Sequence, residues 1–215
     1  ARGEPPAREE EGRPAPEAPG KVGQPRGLAR DTAGNIYVAD FVNNRIQKLD
    51  AKLSPLLVWG RRGSGPGEFK DPCAVAVDAA GRVYVADTWN GRVQQFTAAA
   101  QYTRTAIAEL YGPRGIVVDR SGRVFVADTG NKRIAVFDSR GQPLAQFGGA
   151  GFDVGQMDEP VGVAVDSQGQ VYVADTWNQR IQVFAETAAN TFTYVREWPM
   201  DAWYGQSLDN KPFLA

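Results

Sequence analysis

Val85-Ala-Asp-Thr-Trp-Asn-Gly-Arg-Val-Gln94 is the stretch whose reading decides the fold, because the chain contains it four times. The other copies are VADFVNNRIQ at 38–47, VADTGNKRIA at 126–135 and VADTWNQRIQ at 173–182. Working outward, each copy is preceded at constant distance by P-x-[GA]-[apolar]-x-x-D-x-x-G. Four segments therefore superpose without gaps: Pro25–Arg45, Pro72–Arg92, Pro113–Arg133 and Pro160–Arg180. The first aspartates are Asp31, Asp78, Asp119 and Asp166, and the glycines three residues later are Gly34, Gly81, Gly122 and Gly169. Successive arginines are 47, 41 and 47 residues apart, so all length variation falls after the arginine.

The repeated cassette reads as strands. Ala74–Val77 is a short apolar run suited to a strand covered on both faces. Asp78–Gly81 is a tight hairpin turn, with the aspartate capping it and the glycine supplying positive φ. Val83–Ala86 and Arg92–Phe96 read as second and third strands. A weaker fourth strand follows at Pro55–Trp59, Tyr102–Ala108, Pro143–Phe147 and Phe192–Trp198. Four antiparallel strands in a unit of this length form the blade of a β-propeller. One such sheet cannot bury both faces alone, so units must stack around an axis.

These strings, with the upstream P-x-G-V-A-V-D-x-x-G, resemble the NHL repeat over Pro25 to about Trp198. The resemblance implies an all-β propeller, usually six-bladed, that binds or scaffolds; a minority of related propellers are enzymes. Blades are expected at 25–60, 72–108, 113–148 and 160–198. Residues 211–215, Lys-Pro-Phe-Leu-Ala, read as the opening of a fifth. The count suggests a truncated six-bladed propeller, whose terminal blades would expose apolar faces open to self-association.

Ala1–Gly20 contains five Pro, five Glu and no side chain larger than Ala that could join a core. It reads as a disordered or extended linker, with Pro16-Glu-Ala-Pro19 as a weak PxxP ligand pattern. The propeller is assigned to 21–215. The whole chain has 215 residues, a net charge of −1, no histidine and one cysteine. The missing histidine excludes imidazole-based triads and metal sites from this segment, and the single cysteine excludes an internal disulfide. No apolar run reaches the 18 residues that a membrane helix needs.

The repeated polar set is read as architecture: Asp40, Asn43 and Arg45; Asp87, Asn90 and Arg92; Asp128, Asn131 and Arg133; Asp175, Asn178 and Arg180. A carboxylate and a guanidinium five residues apart can pin the link between second and third strands. Four copies suit a scaffold better than an active site. Cys73 reads as a small buried filler. Arg30 stands where later units carry Val77, Val118 and Val165, and is expected to face an acidic partner or an open flank.

Function is expected where the repeats differ, on the rim shared by the second-to-third strand loops and the inter-blade loops. The candidates are Arg26, Phe41, Arg61, Arg62, Lys70, Trp89, Tyr111, Arg114, Trp177, Trp203 and Tyr204, a set rich in the aromatic and arginine anchors of recognition surfaces. The rim also carries Phe69, Phe152 and Met157. The leading reading is a non-catalytic module for a protein, peptide or glycan, with no cofactor, metal or catalytic residue of its own. One alternative is an enzyme like the calcium-dependent lactonase-type propellers, with ligands in blades beyond this segment. Another is an RNA-binding NHL domain, which nucleic-acid recognition would require to be more basic. A bacterial, envelope-facing location within a larger protein is the expected setting.

Overall fold

The computed structural model describes residues 18–200. They form four four-stranded antiparallel sheets, each a meander in chain order. Blade one holds β1 (Pro25–Arg30), β2 (Ile36–Asp40), β3 (Arg45–Leu49) and β4 (Pro55–Trp59). Blade two holds β5 (Pro72–Val77), β6 (Val83–Asp87), β7 (Arg92–Phe96) and β8 (Tyr102–Ile107). Blade three holds β9 (Gly115–Val118), β10 (Val124–Asp128), β11 (Arg133–Phe137) and β12 (Pro143–Gly148). Blade four holds β13 (Pro160–Val165), β14 (Val171–Asp175), β15 (Arg180–Ala188) and β16 (Thr191–Pro199). The architecture is all-β and propeller-like. Residues 211–215, read as the start of a fifth blade, lie outside the described residues, as do 1–17 of the linker.

The Asp-x-x-Gly turns explain the constant spacing between first and second strands. Each aspartate accepts the amide of the residue four positions on: Asn35 N to Asp31 Oδ1 at 2.8 Å, and Arg82, Arg123 and Gln170 N to Asp78, Asp119 and Asp166 at 2.9 Å. The turn glycines take φ of +78° to +89°, a region that costs L-residues steric strain.

Cores lie between blades, not within them. Blades one and two enclose Tyr37, Ile46, Phe69, Val75, Val85 and Phe96. Blades two and three enclose Tyr84, Val93, Ile107, Ile116, Val124 and Val126. Blades three and four enclose Phe125, Ile134, Met157, Val163, Val173 and Phe184. Alternate residues of one strand thus feed two different cores, which is why the innermost strands read as continuous apolar runs. The innermost strands pack in the order β1, β5, β9, β13. Their approach is close. A Cβ on Gly27 would lie 2.6 Å from Ala74 Cα, and one on Gly115 would lie 2.6 Å from the Val161 carbonyl oxygen. The small residue of P-x-[GA] is fixed by this spacing.

Both flanks of the described arc are open. Leu28 is 56% exposed, whereas its equivalents Val75, Ile116 and Val163 are buried. Arg30 is exposed on the same flank of blade one. On blade four, Tyr172 is only partly buried, although Tyr37, Tyr84 and Phe125 are fully buried at that position. Trp198 stacks on Tyr172 at 6.0 Å and remains 44% exposed.

Candidate binding rim

Each blade builds its rim around one buried aspartate. Asp40, Asp87, Asp128 and Asp175 end the second strands at zero exposure. Their Oδ2 atoms accept Nε of Arg45, Arg92, Arg133 and Arg180 at 2.7–2.8 Å. They also accept the side-chain amides of Asn43, Asn90, Asn131 and Asn178 at 2.8–2.9 Å. Their Oδ1 atoms take backbone amides from the preceding inter-blade loop: Gly23, Lys70, Tyr111 and Asp158, at 2.7–2.9 Å. One carboxylate therefore ties two strands and a loop together. Burial works to raise the Asp40 carboxyl, but donation from Asn43, Arg45, Gly23 and Gln47 outweighs it and holds the group below the usual carboxylate range. The residue after each asparagine turns left-handed, at Asn44, Gly91, Lys132 and Gln179.

A fourth member of this network, a glutamine, went unread in the sequence. Gln47, Gln94 and Gln182 are fully buried, and each clamps the inter-blade loop from both sides. Their Nε2 atoms donate to the carbonyls of Lys21, Glu68 and Gln156 at 2.6–2.7 Å, and their Oε1 atoms accept from Gly20, Gly67 and Gly155 at 2.8–2.9 Å. The available signal was the residue after R-[IV], glutamine in three copies and Ala135 in the third. These bonds tie 20–24 to blade one as 67–71 is tied to blade two. Gly20 stands within the first of these loops, although composition alone grouped it with the linker.

On this scaffold every blade presents an aromatic ring. Phe41 carries the Arg26 guanidinium 4.9 Å over its ring. Trp89 and Trp177 are 48% and 43% exposed, and Tyr111 is 60% exposed. Gly130 occupies the position of Trp89 and Trp177, and the Tyr111 ring lies where a Cβ on Gly130 would be, 2.2 Å from its nearest atom. Blade three thus substitutes an aromatic from the inter-blade loop for one from its own turn. One backbone bond joins the two loops in blades two to four, from Trp89, Gly130 and Trp177 N to the carbonyls of Lys70, Tyr111 and Asp158; in blade one both ends shift by a residue, Phe41 N to the Gln24 carbonyl. Phe152, 77% exposed, adds to the rim beside blade four, whereas Phe69 and Met157 are fully buried beneath it. Trp203 and Tyr204 lie outside the described residues.

Several basic residues of the rim are matched by acids. Arg61 pairs with Glu68 at 2.8 Å, Arg114 with Glu159 at 3.5 Å and Lys132 with Asp158 at 2.8 Å. Arg62 and Lys70 are exposed. Burial pushes the Cys73 thiol up, so it stays protonated at neutral pH and is a poor nucleophile. Among the described residues no three His, Cys, Asp or Glu side chains gather as a metal site.

Solved structures share the fold. A nidogen/laminin complex aligns at TM-score 0.65 and 19% identity, over 79% of this chain and 64% of that one. A streptogramin B lyase aligns at 0.61 and 15% over 83% of this chain and 55% of that one. An inactive virginiamycin B lyase from Staphylococcus aureus with quinupristin aligns at 0.62 and 13% over 83% of this chain and 56% of that one. The chain spans less than two thirds of each, and identities this low establish fold alone. No curated protein matches the sequence. The NHL repeat model matches residues 23–49, 69–96, 110–137 and 157–184, more than half of the chain. With four blades built on one Asp-Asn-Arg network, the chain belongs to the NHL-repeat family.

Proposed function

We propose that this chain is a recognition module whose rim engages a protein or peptide partner. The carrying observation is the arc of rings, one per blade: Phe41, Trp89 and Trp177 from the loops between second and third strands, and Tyr111 from the inter-blade loop of blade three. Exposed aromatics on a rigid scaffold offer large contact area at little entropic cost. The fold continues regardless of the residue here, since blade three places glycine at this position. The carboxylate partners of Arg61, Arg114 and Lys132 leave less of the rim's positive charge for a phosphate backbone, which favours a protein over a nucleic acid.

The test is affinity capture with quantitative mass spectrometry. Wild-type protein is compared with Trp89→Ala plus Tyr111→Ala, and with Arg140→Ala on the opposite rim. A partner retained by wild type and Arg140→Ala but lost with the aromatic variant supports the reading. Equal retention by all three overturns it.

A further inference from the structure

Blade three lacks the loop that its own arginine is built to hold. In blades two and four, Arg92 Nη2 donates to the Gly65 and Glu68 carbonyls, and Arg180 Nη2 to those of Asp153 and Gln156, all at 2.8–3.0 Å. In blade one, Arg45 Nη2 donates to the Lys21 carbonyl at 2.8 Å. The asparagines add a further bond, from Asn90 to the Gly63 carbonyl and from Asn178 to that of Gly151, both at 2.9 Å. The held segments share Gly-x-x-x-Gly-[Glu/Gln]: Gly63–Glu68 and Gly151–Gln156. Glycine is favoured in both by positive φ, +75° at Gly67 and +78° at Gly155, where L-residues are strained.

The loop before blade three is cut short. Trp59 and Phe69 are ten residues apart, as are Phe147 and Met157, but Ile107 and Leu110 are only three apart. Among the described residues no loop carbonyl reaches Arg133 or Asn131. Arg133 keeps Asp128 on Nε and Gln146 on Nη1, and Asn131 keeps only Asp128. The Arg133 side chain is 32% exposed, against 7%, 14% and 9% for Arg45, Arg92 and Arg180. A cleft of about 390 Å³ opens there, lined by Asn131, Arg133, Gln146, Phe147, Gly148 and Gly149. The clamp glutamine is absent too, replaced by Ala135.

We infer that this cleft is a peptide-binding site, which takes a glycine-bearing turn of a partner protein in the position that Gly63–Glu68 and Gly151–Gln156 occupy in the neighbouring repeats. The donors left over are Nη2 of the guanidinium and the second N–H of the Asn131 amide, and in blades two and four the matching groups donate to backbone carbonyls. An incoming turn supplies those carbonyls in trans. The site does not use the aromatic arc, so failure of one leaves the other standing.

The probe is the capped peptide GRRGSGPGEFK, residues 60–70 of this chain. It carries net positive charge, so general attraction to Arg133 cannot account for its binding. Amide and side-chain NMR of the whole protein is followed during titration to millimolar peptide. Saturable shifts are expected at Asn131 Nδ2, Arg133 Nε, Gly148 and Gly149, with none for a peptide whose glycines are alanines. Ala135→Gln restores the clamp and should tighten binding about fivefold, the effect of one net hydrogen bond. Arg133→Lys retains charge but loses the Nη2 donor, and should weaken binding by at least about fivefold. Absence of saturable shifts, equal binding by the alanine peptide, or unchanged affinity in both variants overturns the inference. So does the same shift pattern with acetate or inorganic phosphate but not with peptide, which would mark a simple anion site.

Discussion

Replacing Gln94 with Ala removes three bonds from a fully buried position. They run to the Glu68 carbonyl at 2.7 Å, to Asp87 Oδ2 at 3.1 Å and from the Gly67 amide at 2.9 Å. Two of the three partners keep other bonds. Glu68 O still accepts from Arg92 Nη2 at 3.0 Å, and Asp87 Oδ2 still accepts from Arg92 and Asn90. The Gly67 amide loses its acceptor. At about 1 kcal/mol net for each bond, with a small cavity added, the loss is about 3–4 kcal/mol. It should be local. Native-state hydrogen exchange should show the Gly67 amide exchanging about a hundredfold faster, with faster cleavage of 60–71 by protease and little change in blade four. Repeat arrays couple mainly to neighbours, so the loss should not spread evenly. A change below about 0.5 kcal/mol with Gly67 exchange unaltered would refute the clamp.

Three further outcomes follow from the same geometry. Gly27→Ala drives a methyl into the β5 backbone at 2.6 Å and should cost about 1–3 kcal/mol, read as a lower urea midpoint. The Asp40 carboxyl is held below its ordinary value of 3.8 in the folded state. Its bonds therefore contribute fully above that value and are lost as pH falls through the lower folded value. In urea titrations from about pH 7 to 3, Asp40→Asn should lower stability at neutral pH and flatten the acid limb. Trp89→Ala should leave the thermal midpoint nearly unchanged while weakening partner binding, because its ring is half exposed on a turn already fixed by Asp87.

The strands were legible because the information is local. Alternating apolar residues, Asp-x-x-Gly turns and the Asp–Arg interval of five are read within one cassette, and strand ends fall within a residue or two of the expected positions except in blade four, where β15 runs on to Ala188. The clamp was not legible, because Gln94 reaches a carbonyl 26 residues upstream and depends on a loop whose path no local pattern fixes. The Tyr111–Gly130 exchange was hidden for a similar reason. The two residues belong to different loops, and only the structure shows that one ring fills the place another residue left open. Arg133 looked like its three equivalents, since the sequence shows a shorter interval but not which donors that shortening uncovers.

Hydrogen-exchange mass spectrometry of the whole chain, with and without its captured partner, tests most directly whether recognition lies on this rim. Recognition on this rim requires new protection in loops 41–44, 88–91, 108–114 and 176–179, which carry the aromatic arc. The Asp-x-x-Gly turns at 31–35, 78–82, 119–123 and 166–170, on the opposite rim, should exchange unchanged. Protection confined to those turns, with the aromatic loops unaffected, would contradict it.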